Sequence, residues 1–319
     1  MFEEEYIKNN FQENVKKDLA KIISGEYLGL SRNVRQINNL FSTICKENKD
    51  DKEKLIEKIK IVSEYLIKTR GKNTPGIKNA LDLIFADTKL FEDCSVSEIS
   101  RLIISKTSRL NKESILNAKK ISTLGSKLLS KSKLILVFDY SSSVMNILRE
   151  MSVNDNFVNI IVPESRILNG GAPIAKEAIE MGHNVEFIFD MAFCLKLKEV
   201  DSILIGAESF DINGDCWNTI GSYPISFVAY NLKIPVYVPT EFIKFNYKSL
   251  KNIQKEIVTE NFSSVFNLPK SMQESKNISF YSQELEKIPS KYVKAYITPI
   301  GNINPENMDR EIRKFFEIK

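Results

Sequence analysis

LILVFDYSSSVMNILRE, Leu134–Glu150, decides the fold. Its first half is a short, wholly apolar run of β-type residues ending in polar ones, as expected of a parallel strand buried on both faces. Val144–Glu150 then reads as a helix. The same alternation continues downstream. FVNIIVPES (Phe157–Ser165) is a second strand, and IAKEAIEMG (Ile174–Gly182) is a helix closed by Gly182 at its C-cap. VEFIFD (Val185–Asp190), VDSILIGAES (Val200–Ser209) and IPVYVPT (Ile234–Thr240) are three further strands, with a helix from about Ile220 before the last. Five apolar strands alternating with helices predict an α/β fold with a doubly wound parallel sheet.

Upstream the texture differs. From Glu4 to about Thr123 the apolar residues recur at helical spacing. In EKLIEKIKIVSEYLIK (Glu53–Lys68), Leu55, Ile56, Ile59, Ile61, Val62, Tyr65 and Leu66 form one broad stripe with charged residues opposite. GKNTPG (Gly71–Gly76) breaks the pattern between two helices, and no strand signal occurs. The expected organisation is an N-terminal helical domain over residues 1–123, followed by the sheet domain over residues 124–319.

Composition narrows the classes of function. The chain has 319 residues, of which 43% are hydrophobic and 27% charged, enough apolar content for a packed core. The net charge of +4 is small for this length, and its lysines and glutamates are interspersed, so there is no nucleic-acid footprint. Cys45, Cys94, Cys194 and Cys216 form no CxxC pair, and the single histidine, His183, completes no zinc site with them. His183 follows a helix-ending glycine and reads as a surface residue. The acidic, polar N-terminus is no signal peptide, and no apolar run approaches the roughly 18 residues that span a bilayer. These features predict a cytoplasmic protein with no zinc site and no nucleic-acid or membrane partner.

Doubly wound sheets bind ligands outside the carboxyl ends of their strands. Here those ends are Asp139–Ser143, Glu164–Gly171, Asp190, Glu208–Asn218 and Thr240–Lys244, where acids, hydroxyls, glycines and amides concentrate. DYSSS brings Asp139, Tyr140, Ser141 and Ser142 to a helix N-terminus, either as a phosphate cradle or as a plain helix cap. In ESRILNGGAP (Glu164–Pro173), Gly170 and Gly171 permit close backbone approach, and Arg166 offers a bidentate clamp for phosphate. A turn with a surface arginine fits the same residues. In IGAESFDINGDCWNTIGSYP (Ile205–Pro224), Glu208 comes straight off a buried strand and is a candidate general acid or base. Asn218 and Thr219 precede the next helix, and Cys216 beside Trp217 reads as a packing residue.

This last segment resembles the signature of the family that joins methylthioribose-1-phosphate isomerases, ribose-1,5-bisphosphate isomerases and regulatory subunits of initiation factor 2B. STLGSKLLSKSKLILVFDYSS, PESRILNGGAP, PVYVPTEFIKF, TPIGNINPENM and, in the helical half, TRGKNTPGIKNAL (Thr69–Leu81) resemble further family segments. The likeness runs in order from about Ile67. It implies a Rossmann-like sheet domain, a phosphorylated sugar or nucleotide as ligand, no metal or dinucleotide, and a homodimer or higher homo-oligomer. For the isomerases it implies ring opening of a ribose 1-phosphate and conversion of aldose to ketose. Arg70 and Arg166 match arginine positions, Asn218 matches the motif asparagine, and Lys244 falls in the E-x-x-K-F of the strand end.

The departures from the pattern are specific. Asp139 (or Tyr140, one register on) stands at the catalytic cysteine position, Glu208 at the catalytic aspartate and Thr219 at the lysine. The N-terminal phosphate motif is reduced to LGLSR (Leu28–Arg32). Two expectations follow. One is an isomerase in which Asp139 and Glu208 form an acid–base pair, one protonated and one ionised. The other is a catalytically silent subunit that binds a sugar phosphate or nucleotide in the same pocket.

Overall fold

The computed structural model describes residues 2–24, 29–72, 74–86, 91–253 and 255–317. It forms two units, Met1–Asn117 and Ala118–Lys319.

The first unit is helical: α1 (Phe2–Asn10), α2 (Glu13–Ile23), α3 (Leu30–Glu47), α4 (Lys52–Lys68), α5 (Pro75–Phe85) and the beginning of α6 (Val96–Leu128). Sequence sets the helix ends. Asp51 caps α4 by accepting from the Lys54 backbone N–H at 2.9 Å, and Pro75 opens α5 where no intrahelical donor is needed. Before α6, Glu98 accepts from the Ser95 backbone N–H at 2.8 Å, one half of a capping box. Of the predicted α4 stripe, Leu55, Ile59, Ile61, Val62 and Leu66 are buried. Each such side chain contributes about 1.5–3 kcal/mol by leaving water.

The second unit begins within α6 and alternates strand and helix: β1 (Leu134–Phe138), α7 (Ser142–Val153), β2 (Asn159–Pro163), α8 (Gly171–Glu180), β3 (Asn184–Ile188), α9 (Phe193–Lys196) and β4 (Ser202–Ile205). Then come β5 (Ser209–Phe210), β6 (Cys216–Thr219), α10 (Ser222–Asn231), β7 (Val236–Pro239), β8 (Thr259–Asn261), α11 (Lys270–Gln273), β9 (Tyr281–Gln283), β10 (Leu285–Ile288), β11 (Ala295–Thr298), β12 (Gly301–Ile303) and α12 (Met308–Phe315).

The main sheet has the order β12-β11-β7-β4-β1-β2-β3, parallel except for the β11–β12 hairpin. The five predicted strands are all in it. From β1 the chain winds outward to β2 and β3, then returns to β4 on the other side of β1. The topological switch point therefore lies between β1 and β4, whose register pairs Phe138 with Ile205. Leu136, Phe138, Ile203 and Ile205 pack on one face of the sheet, and Ile135, Val137, Val162 and Leu204 on the other.

Two features depart from expectation. Short, mixed-polarity segments form an additional antiparallel sheet, β10-β6-β5, so Cys216–Thr219 is a strand ahead of the helix. His183 is also buried rather than at the surface, at 4% exposure. Its Nδ1 accepts from the Val158 backbone N–H at 3.3 Å, and its Nε2 lies 3.0 Å from the Leu148 carbonyl. Burial pushes its titration downward, so it is a neutral core histidine that joins β2, β3 and α7. Among the described residues no helix is long and apolar enough to cross a membrane.

Candidate active site at the switch point

Asp139 leaves β1 in the left-handed region, with φ 57°, which turns its carboxylate back against the strand ends. The side chain is only 7% exposed. Its Oδ1 accepts from the Ser165 hydroxyl at 2.9 Å, and its Oδ2 from the Thr219 hydroxyl at 2.6 Å. Burial pushes its titration above the ordinary carboxylate value. The Glu208 charge adds to that, while the two hydroxyls and the Tyr140 backbone oppose it. Asp139 is thus a buried carboxyl whose charged form is disfavoured by burial and, to a lesser degree, by the charge of Glu208.

Close packing holds this geometry. Gly170 stands where a Cβ would come 2.0 Å from Asp139 Oδ1. A Cβ at Gly206 would come 2.8 Å from that of Ser141, so glycine lets the β1 and β4 ends meet. Ser165, at φ 48°, donates its backbone N–H to Asp190 Oδ1 at 2.6 Å, and the Arg166 backbone N–H meets Oδ2 at 2.9 Å. Asp190 at the end of β3 thereby positions the hydroxyl that holds Asp139.

Glu208 lies between β4 and β5, half-buried, with its backbone N–H on the Trp217 carbonyl at 2.8 Å. Lys244 is buried, and its Nζ donates to the Ala207 carbonyl at 2.6 Å. The structure thus gives this lysine a scaffolding bond immediately before Glu208. Asn218 donates to the Ser222 hydroxyl at 2.9 Å and fixes the entry to α10. The α10 N-terminus already holds an anion, because Glu286 accepts from the Gly221 and Tyr223 backbone N–H groups at 2.6 and 2.7 Å.

The other predicted site residues divide. Ser141 is the N-cap residue of α7, without a side-chain capping bond, and Ser142 opens the helix. Tyr140 donates its hydroxyl to Glu177 of α8 at 2.9 Å. Gly171 packs on the Pro163 carbonyl, 2.2 Å from where a Cβ would stand. The Arg166 guanidinium is exposed and paired with Glu164 at 3.3 Å. It borders a cavity of about 510 Å³ that is also lined by Asp190, Ile220, Phe262, Phe266 and Phe280. Arg70 belongs to the first unit, in a 3-10 turn, where its buried Nε has no hydrogen-bond partner among the described residues. Of LGLSR, Leu28 lies outside the described residues, and Arg32 is in α3. Cys216 is fully buried and its thiol is pushed up to about 12, which suits packing and not nucleophilic work. Among the described residues no group of three His, Cys, Asp or Glu side chains can hold a metal ion.

Sequence reasoning passed over Ser165, Gly206, Glu286 and Lys255. Only Ser165 and Gly206 stand in segments already singled out. Glu286 reaches the site from 65 residues beyond Gly221.

The chain resembles known proteins in sequence and in fold. The chain is 25% identical over 226 residues to a ribose 1,5-bisphosphate isomerase of Archaeoglobus fulgidus, spanning 71% of this chain and 70% of that protein. It is 27% identical over 219 residues to the translation initiation factor eIF2B subunit alpha of Dictyostelium discoideum, 67% and 68% of the two chains. The fold superposes on the crystal structure of a 5-methylthioribose 1-phosphate isomerase from Pyrococcus horikoshii OT3 with a TM-score of 0.78 at 22% identity, covering 96% of this chain and 88% of that one. The model of the Initiation factor 2 subunit family matches residues 30–305, and the chain belongs to that family.

Proposed function

We propose that this chain is a sugar-phosphate isomerase of the aldose–ketose type, acting on a ribose 1-phosphate-like substrate at the β1/β4 switch point. The observation that carries the reading is the carboxyl pair: Asp139, buried with its titration pushed upward, within the field of the half-buried Glu208. Conversion of the opened sugar takes a proton from C2 and delivers one to C1. In this reading Glu208, as carboxylate, takes the first proton, and Asp139, as acid, gives the second. The cavity that Arg166 and Asp190 border, its other walls largely apolar, has the volume for such a ligand. Of the residues singled out from the sequence as phosphate ligands, Arg166 borders this cavity and offers it a cation. No cofactor enters this chemistry. Replacing Asp139 by Asn and Glu208 by Gln should each lower turnover by about 10²-fold or more. Full activity in both variants would end the proposal.

A second reading rests on one observation. Both Asp139 oxygens are occupied by the Ser165 and Thr219 hydroxyls beneath a nearly closed surface. That arrangement suits a regulatory subunit that binds a sugar phosphate or nucleotide unchanged. Under either reading we assign a cytoplasmic location and a homodimer formed through the β3 edge. There Phe189, Met191 and Leu195 are 73%, 76% and 80% exposed, and a symmetric partner would cover them.

A further inference from the structure

Lys255 comes from the segment between the 3-10 turn Tyr247–Lys251 and β8, away from every strand end. Its Nζ nevertheless reaches the small sheet, donating to the Ser209 hydroxyl at 3.2 Å and lying 5.4 Å from the centre of the Trp217 ring. These same two residues adjoin Glu208. Ser209 follows it and is fully buried, and the Trp217 carbonyl receives its backbone N–H. Three carboxylates act on the amine: Glu208, Asp211 from the turn between β5 and β6, and Glu284 from just ahead of β10. Asp211 has other partners, accepting from Trp217 Nε1 at 3.3 Å and from Asn246 Nδ2 at 2.8 Å.

We propose that Lys255 is a positioning residue for Glu208: its ammonium holds the Glu208 carboxylate in place and offsets its charge, so that an anionic sugar phosphate can enter beside two carboxyl groups. The second half of this inference rests on the sugar-phosphate reading; the pairing itself does not. Burial lowers the Lys255 titration to about 8, and the three carboxylates draw it back upward. Linkage makes the effect reciprocal: if Lys255 stabilises the Glu208 charge, Glu208 stabilises that of Lys255 to the same degree.

The test is competitive acetylation of the full chain with trace acetic anhydride across about pH 6 to 11, read at Lys255 by peptide mass spectrometry. Neutral amine reacts, so the wild-type curve should rise with a midpoint near 8. In Glu208→Gln the curve should move to lower pH, and reactivity on its rising limb should increase by up to about tenfold for each pH unit by which the midpoint falls. Asp211→Asn and Glu284→Gln should move it less. In parallel, Lys255→Met should weaken retention of ribose 1-phosphate about tenfold, and Lys255→Arg should restore most of it. An unchanged curve in Glu208→Gln, or a larger displacement in Asp211→Asn, overturns the pairing. If the curve moves as expected while no sugar phosphate binds, the pairing stands and the substrate reading falls. If sugar phosphate is converted while the curve stays fixed, the pairing falls alone.

Discussion

Substituting alanine for Gly170 adds one methyl group at the tightest point around Asp139. Gly170 has φ −69° and ψ −20°, values any residue adopts, so the cost is steric and owes nothing to backbone strain. The new Cβ would stand 2.0 Å from Asp139 Oδ1, 3.1 Å from its Cγ and 2.9 Å from the Tyr140 backbone N. The carboxylate cannot swing aside without stretching its bonds to Ser165 and Thr219. Overpacking of this kind costs about 1–3 kcal/mol, and a strained buried hydrogen bond adds about 0.5–1.5 kcal/mol. A loss of about 1.5–4.5 kcal/mol follows, which in a domain of this size lowers Tm by roughly 3–18 °C. Differential scanning calorimetry measures it directly. The decisive control is a double-mutant cycle. In an Asp139→Ala background the nearest atom is gone, so Gly170→Ala should cost less by at least about 1 kcal/mol. An equal cost in both backgrounds, or wild-type stability for Gly170→Ala, would refute the reasoning.

Three further outcomes are expected. The raised titration of Asp139 contributes stability that is fully present below about pH 4 and is lost as pH rises through its folded value. Asp139→Asn, always neutral, should therefore gain on the wild type with rising pH above about 4, by at most about 1.4 kcal/mol per pH unit, as read by urea titration across pH. Glu286→Ala removes the acceptor for two α10 N-terminal donors and should cost about 1–3 kcal/mol, while Glu286→Gln should recover part of that in the same assay. Phe189→Asp places a charge on the apolar β3 edge and should convert a dimer to monomer in light scattering behind a sizing column; an unchanged mass would place the interface elsewhere.

Much of the main sheet could be read from sequence because strands covered on both faces need uninterrupted apolar side chains, and Leu134–Phe138 or Ser202–Ile205 have few other uses. The β5, β6 and β10 strands escaped notice for the opposite reason. Phe210, Cys216, Trp217 and Leu285 stand among polar neighbours in strands of two to four residues, too short a window for any period to emerge. His183 misled because glycine before a histidine marks a helix end, yet says nothing about which strands close over it. At the candidate site, the strand-end rule pointed to Asp139 and Glu208 from position alone. The rule was silent on which hydroxyls would meet Asp139. Ser165 reaches it only through a left-handed backbone that Asp190 pins from another strand. Lys255 and Glu286 were out of reach for the same reason, since each enters from a separate excursion of the chain. Lys244 shows the converse, because a lysine at a strand end suggests a ligand cation until a backbone carbonyl is found to hold its amine.

The most direct test of the central claim is to incubate the purified chain with ribose 1-phosphate, ribose 1,5-bisphosphate and methylthioribose 1-phosphate and follow each by NMR. Isomerisation predicts that an aldose signal gives way to a ketose signal for at least one substrate, with the change lost in Glu208→Gln. A sugar phosphate that raises Tm yet emerges chemically unchanged after long incubation would contradict the account and leave a binding subunit in its place.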